Sequence, residues 1–210
     1  MKRAYSPKEI AAMKWVTLPW GEKWSAPFGF PAENASWFIS GASASGKSSF
    51  VMQLAKELCN YGLVLYMSYE EKVNQSFQKR MGYLGMNEVQ GKFRVATDDT
   101  YDELVSRLKK PKSPKFIIID SFQVADWDYP HAVELMERFP KKCFIWISQE
   151  KKSQPMGAGA ARLKYICDMK IRVVGYKAYC QGRSIGEAGS YYVVWEDGII
   201  QTSNNLSKQE

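Results

Sequence analysis

Gly41-Ala42-Ser43-Ala44-Ser45-Gly46-Lys47-Ser48-Ser49 has the spacing G-x-x-x-x-G-K-S. An apolar run over residues 35–40 leads into it, and a helical pattern follows with Phe50, Val51, Leu54, Ala55 and Leu58 on one face. Strand, glycine loop and helix in that order define a phosphate-binding loop. The glycines let the backbone wrap an anion, so that several N–H groups point inward where the helix begins. Lys47 is placed to neutralise the β- and γ-phosphates of ATP, and the Ser48 hydroxyl to ligand Mg²⁺. All nine residues, 41 to 49, are therefore candidates for the nucleotide cradle.

Working outward, further apolar runs alternate with helical patterns. Residues 63–68, 93–96, 116–120 and 143–148 read as strands, and 73–84, 100–108 and 132–139 as helices. Thr100 and Glu103 form a capping box for the second of these helices. Strands alternating with helices predict an α/β fold with a mostly parallel central sheet and helices on both faces. After residue 160, short apolar stretches at 169–174, 178–180 and 191–195 predict a C-terminal antiparallel meander. Residues 1–34, rich in Trp and Pro, read as an irregular lead that wraps the sheet edge, and 201–210 as a frayed tail of one domain.

Acidic and amide groups fall at the carboxyl ends of these strands. Asp120 closes an apolar strand, as a Walker B aspartate does, and there it would hold Mg²⁺ through water. Glu70 and Glu71 follow the strand at 63–68, where a carboxylate can polarise water for in-line attack on the γ-phosphate, with Glu70 favoured as base. Gln149 caps the strand at 143–148 and would sense the γ-phosphate. The basic, Gly-containing segment 150–159 next to it reads as a mobile loop. His131, the only histidine, precedes a helix and has no catalytic reading.

The chain has 210 residues and a net charge of +7, unevenly spread: +1 over residues 1–105 and +6 over the remainder. A basic C-terminal half favours a polyanionic partner. Nothing in the sequence resembles a membrane span, and the four cysteines show no C-x-x-C spacing, so buried thiols in a reducing, intracellular compartment are expected rather than zinc ligands.

The order of phosphate loop, Ser68-x-Glu70-Glu71, Ile119-Asp120-Ser121-Phe122-Gln123 and Ile147-Ser148-Gln149 resembles the RecA-like ATPases, above all the RadA, KaiC and DnaB-type helicase motors. Gln75, Lys79 and Arg80 match a glutamine and basic residues on the helix after the glutamate pair. Gln181-Gly182-Arg183-Ser184-Ile185-Gly186 is similar to the K-N-R-F-G segment of RadA-like proteins, with Gln181 replacing its first basic residue. The resemblance spans about residues 26–200. It implies a RecA-like P-loop NTPase domain in which Lys47, Ser48, Glu70, Asp120 and Gln149 act in cis. Arg183 would act in trans, on ATP held by the next subunit of a homo-oligomeric ring or filament. Segment 150–159 would approach DNA, single-stranded by preference. The chain shows no counterpart of RadA's zinc finger or of a helicase collar, and reads as a bare motor domain in recombination or replication. Two other readings stand beside this one: a small P-loop kinase acting on a metabolite or nucleotide, and a KaiC-like ATP-binding regulatory switch.

Overall fold

The computed structural model describes residues 4–182 and 186–206. Nine strands and eight α-helices follow one another among the described residues. The first half comprises α1 (Pro7–Ala11), α2 (Glu22–Phe28), β1 (Trp37–Gly41), α3 (Lys47–Leu58), β2 (Val64–Ser68), α4 (Gln75–Tyr83), β3 (Phe93–Ala96) and α5 (Tyr101–Lys109). The second comprises β4 (Phe116–Asp120), α6 (Tyr129–Arg138), β5 (Cys143–Lys151), β6 (Gln154–Pro155), α7 (Ala158–Ile166), β7 (Met169–Val174), β8 (Lys177–Cys180), β9 (Tyr192–Val193) and α8 (Glu196–Leu206).

The sheet runs β3-β2-β4-β5-β1-β7-β8-β9, parallel from β3 to β7 and antiparallel beyond, with β6 folded back on β5. Its central strands are buried on both faces, which is why they read as unbroken apolar runs. Alternate side chains still divide between two cores. Trp37, Ile39, Val64 and Tyr66 pack beneath α2, α3 and α4, whereas Phe38, Leu65 and Met67 pack beneath α5, α6 and α7. Fully burying each of these large side chains contributes about 1.5–3 kcal/mol, so the two layers fix the register of the strands between them.

The helix starts follow local chemistry. In α5 the Glu103 N–H donates to Thr100 Oγ1 at 3.3 Å and the Thr100 N–H to Glu103 Oε2 at 2.8 Å, the reciprocal cap expected from the sequence. His131 has the corresponding place in α6, where its N–H donates to Asp128 and its ring accepts from the Asp128 N–H. The lone histidine is a capping residue.

Three expectations are corrected. The lead is not irregular throughout, since α2 inserts Trp24 and Phe28 into the first core, where Trp20 and Trp24 stack at 5.7 Å. The strand expected to end at residue 148 continues to Lys151 and turns back through β6, so 150–159 begins as a hairpin rather than a loop. The C-terminal meander is shortened: β7 pairs in parallel with β1, β9 has two residues, and α8 follows, running past residue 201.

Candidate active site

Parallel registry brings the ends of four strands to one edge. Ser68 lies level with Asp120, and Gly41 with Gln149. Between β1 and α3 the loop must turn sharply beside β7. A Cβ on Gly41 would sit 2.5 Å from the Val173 carbonyl oxygen and 2.7 Å from Ser45 Oγ, so no larger residue fits. Gly46, at φ +93°, takes the left-handed conformation from which α3 starts. The first amides of α3 have no acceptor within the helix, and with the positive end of its dipole they face the space where an anion binds. Ser45 Oγ is buried there without a hydrogen-bond partner, as a group waiting for a ligand would be.

The resulting cavity is about 430 Å³ and is lined by residues 42–49 together with Glu70, Arg80, Gln149, Glu150 and Tyr176. Lys47 is 9% exposed and Asp120 7%. Burial pushes the Asp120 carboxyl above its ordinary value, and a hydrogen bond from the Tyr66 hydroxyl and the Lys47 charge only partly oppose this. A cation would reverse that balance. Ser48 and Asp120 are the donors a Mg²⁺ ion uses beside phosphates, and among the described residues no group of three or more His, Cys, Asp or Glu forms an all-protein metal cage. The donor set therefore fits magnesium held jointly with a nucleotide.

The backbone after β2 is pinned to β4, with the N–H groups of Tyr69 and Glu70 donating to the Asp120 carbonyl at 2.7 and 3.1 Å. This sets Glu70 beside Asp120. Gln149 Nε2 then donates to Glu70 Oε1 at 2.7 Å, joining residues 79 apart in the chain. Glu71 points elsewhere. Arg80 grips both of its oxygens, Nη1 to Oε2 at 2.6 Å and Nη2 to Oε1 at 2.9 Å, and the Ser76 hydroxyl also donates to it. Burial raises the Glu71 carboxyl, but the hydrogen bonds from Arg80 and Ser76 and the Arg80 charge outweigh it and hold the group below the ordinary carboxylate value.

The structure thus gathers Lys47, Ser48, Asp120, Glu70 and Gln149 around one space and leaves Glu71 ion-paired beside it. Arg183 lies outside the described residues. Sequence reasoning missed several contributors. Tyr66 gave no signal, being one aromatic within an apolar strand. Arg80 was noted only for its place on a helix. Gln123 donates to Ser148 Oγ at 2.7 Å and to the Met156 carbonyl at 2.9 Å, linking β4 to the segment beyond β6. Glu150 accepts from Ser40 Oγ at 2.8 Å and from Arg172 Nε at 3.1 Å, with its side chain 2% exposed. That buried ion pair anchors the base of the hairpin.

Strand order, loop and site together define a RecA-like P-loop fold. Solved structures share it. The flagellar accessory protein FlaH from Methanocaldococcus jannaschii aligns with TM-score 0.59 and 17% identity over 85% of this chain and 93% of its own. A KaiC-like protein from Pyrococcus horikoshii gives TM-score 0.56 and 16% identity over the same shares. A third structure, an ATPase domain, gives 0.52 and 14% over 76% of this chain and 79% of its own. No protein-family model matches the chain, and no curated protein does either.

Proposed function

We propose that this chain is a Mg²⁺-dependent ATPase that works on DNA as a homo-oligomer. The observation that carries the enzymatic part is the Glu70–Gln149 hydrogen bond at the wall of the phosphate cavity. It occupies Oε1 of Glu70 and leaves Oε2 as an acceptor for a water proton. A carboxylate oriented by an amide at that point is what attack by water requires. Phosphorylation of a hydroxyl acceptor needs no such pair, so hydrolysis is preferred to the kinase reading.

The remaining residues divide the work of binding. The loop amides and Lys47 cradle the phosphates, and Ser45 gains a partner for its buried hydroxyl. Ser48 and Asp120 would hold the metal, which when bound supplies charge neutralisation across the β- and γ-phosphates. Tyr66 holds the Asp120 carboxylate in place from beneath.

Support for a nucleic-acid partner comes from charge. Lys151 and Lys152 are exposed on the β5–β6 hairpin, whose base is anchored at the cavity through Glu150, and the C-terminal half holds most of the net positive charge. A phosphate-release assay tests the enzymatic part: the chain releases phosphate from ATP in Mg²⁺, and Lys47→Ala does not. Equal release by both would reject the site. Binding to single-stranded DNA should weaken steeply with added salt. No binding even at low salt would remove DNA from the reading, and sizing with and without a non-hydrolysable ATP analogue tests assembly.

A further inference from the structure

We propose that Arg80 reads the terminal phosphate of a bound nucleoside triphosphate from within the same chain, with Glu71 as the positioning residue that aims it. The proposal rests on the nucleotide reading of the cavity given above and adds to it the source of triphosphate selectivity.

The two adjacent carboxylates have different partners. Glu70 accepts one hydrogen bond, from Gln149, and keeps an oxygen in reserve. Both oxygens of Glu71 are engaged by Arg80, and Ser76 adds a third donor. A carboxylate held in this way is a poor base and a good anchor. The anchor is itself fixed: Asn74 Nδ2 donates to the Glu71 carbonyl at 3.1 Å, and Asn74 Oδ1 caps α4 by accepting from the Phe77 N–H at 2.9 Å. One turn into that capped helix, Arg80 has its direction set.

Arginine has five N–H donors in a planar fork. Glu71 takes two of them. The guanidinium lines the same cavity as Lys47 and Glu70, on the wall that β2 and α4 contribute. Its side chain is 15% exposed and that of Glu71 21%, so the fixed charge is shielded from solvent screening. The loop amides and Lys47 suffice to hold a diphosphate. A cation beside the proposed base Glu70 meets the phosphate that is attacked, which only the triphosphate has.

Fluorescent (mant) ADP and the mant derivative of the non-hydrolysable analogue AMP-PNP, titrated with Mg²⁺ into the full chain, test this. Arg80→Ala is expected to weaken triphosphate binding about 10- to 100-fold, the range for losing a charged hydrogen-bonding partner, while ADP binding stays within about threefold. Arg80→Lys keeps the charge without the fork and should lose part of the preference; it also decides the matter if the alanine variant does not fold. Glu71→Gln should fall between Arg80→Lys and the wild type. An unchanged ratio of the two affinities in Arg80→Ala or, if that protein does not fold, in Arg80→Lys would overturn the proposal, as would equal loss of both. A preference that vanishes on dilution would assign the cation to a neighbouring subunit and overturn it as well. Wild-type protein that binds neither nucleotide would instead reject the proposed function and this inference with it, whereas binding that Lys47→Ala abolishes leaves Arg80 as the only point at issue.

Discussion

Two clusters of charge flank the segment 69–74, and they use the same residue types for different ends. On the phosphate side, Lys47, Asp120, Tyr66, Glu71 and Arg80 form a network of which Lys47 and Asp120 are less than a tenth exposed. On the other side, Lys72 pairs with Asp98 and Arg107 with Asp99 around a shallow cleft under Tyr69 and Trp127. The Lys72 and Asp98 side chains are 58% and 68% exposed. Charges in the first cluster sit where water screens them little, and each is costly unless partnered. Those in the second trade one hydration shell for another and contribute little. The lesson is that ion pairs in this fold report function by burial, not by geometry, since both clusters contain well-formed pairs.

Breaking the buried side should therefore cost more than breaking the exposed one. The largest effect on stability is expected for Leu54→Ala, which opens a cavity in the fully buried face of α3 beneath the loop and should cost about 2–5 kcal/mol in chemical denaturation. Tyr66→Phe should follow. It leaves the buried Asp120 without its neutral donor, costing about 1–3 kcal/mol, and it should also shift the Mg²⁺ concentration needed for nucleotide binding. Acid titration sharpens the contrast for Glu71. Its carboxyl is held below the ordinary value when folded, so its contribution is present above the unfolded pKa and disappears as pH falls through the depressed folded one. Glu71→Gln should accordingly flatten the acid limb of a stability–pH curve measured by thermal melting. Lys72→Ala should change stability by less than about 0.5 kcal/mol, and a loss as large as that of Tyr66→Phe would void the comparison.

Thiol reactivity offers an independent check on the burial that underlies it. Burial drives the Cys59 thiol up to about 11 and Cys167 to about 12, with Lys92 and the Ser36 hydrogen bond respectively opposing, so both should resist iodoacetamide at pH 8 until the protein unfolds.

What the sequence revealed was whatever depends on near neighbours. The phosphate loop, the Asp120 strand and the Thr100–Glu103 cap are local patterns, and each appears where its spacing placed it. Pairings that depend on register were hidden. Glu70 meets Gln149, and Tyr66 meets Asp120, only because β2, β4 and β5 align their ends, and no single strand encodes that alignment. The two glutamates looked equivalent because the difference between them lies in a helix turn, where Arg80 claims one and not the other. Helix α2 was obscured by Pro27 and its aromatics, whose burial outweighs a weak local preference. The extension of β5 to Lys151 depends on the buried Glu150–Arg172 pair, which joins residues on two strands.

Phosphate release by Glu70→Gln, measured alongside its affinity for ATP in Mg²⁺, probes the assignment of the base most directly. The substitution keeps shape and hydrogen bonding but removes the proton acceptor, so binding should stay near that of the unsubstituted chain while turnover falls about 10²- to 10⁴-fold. Turnover at the unsubstituted rate with binding intact would show that Glu70 does not activate the water.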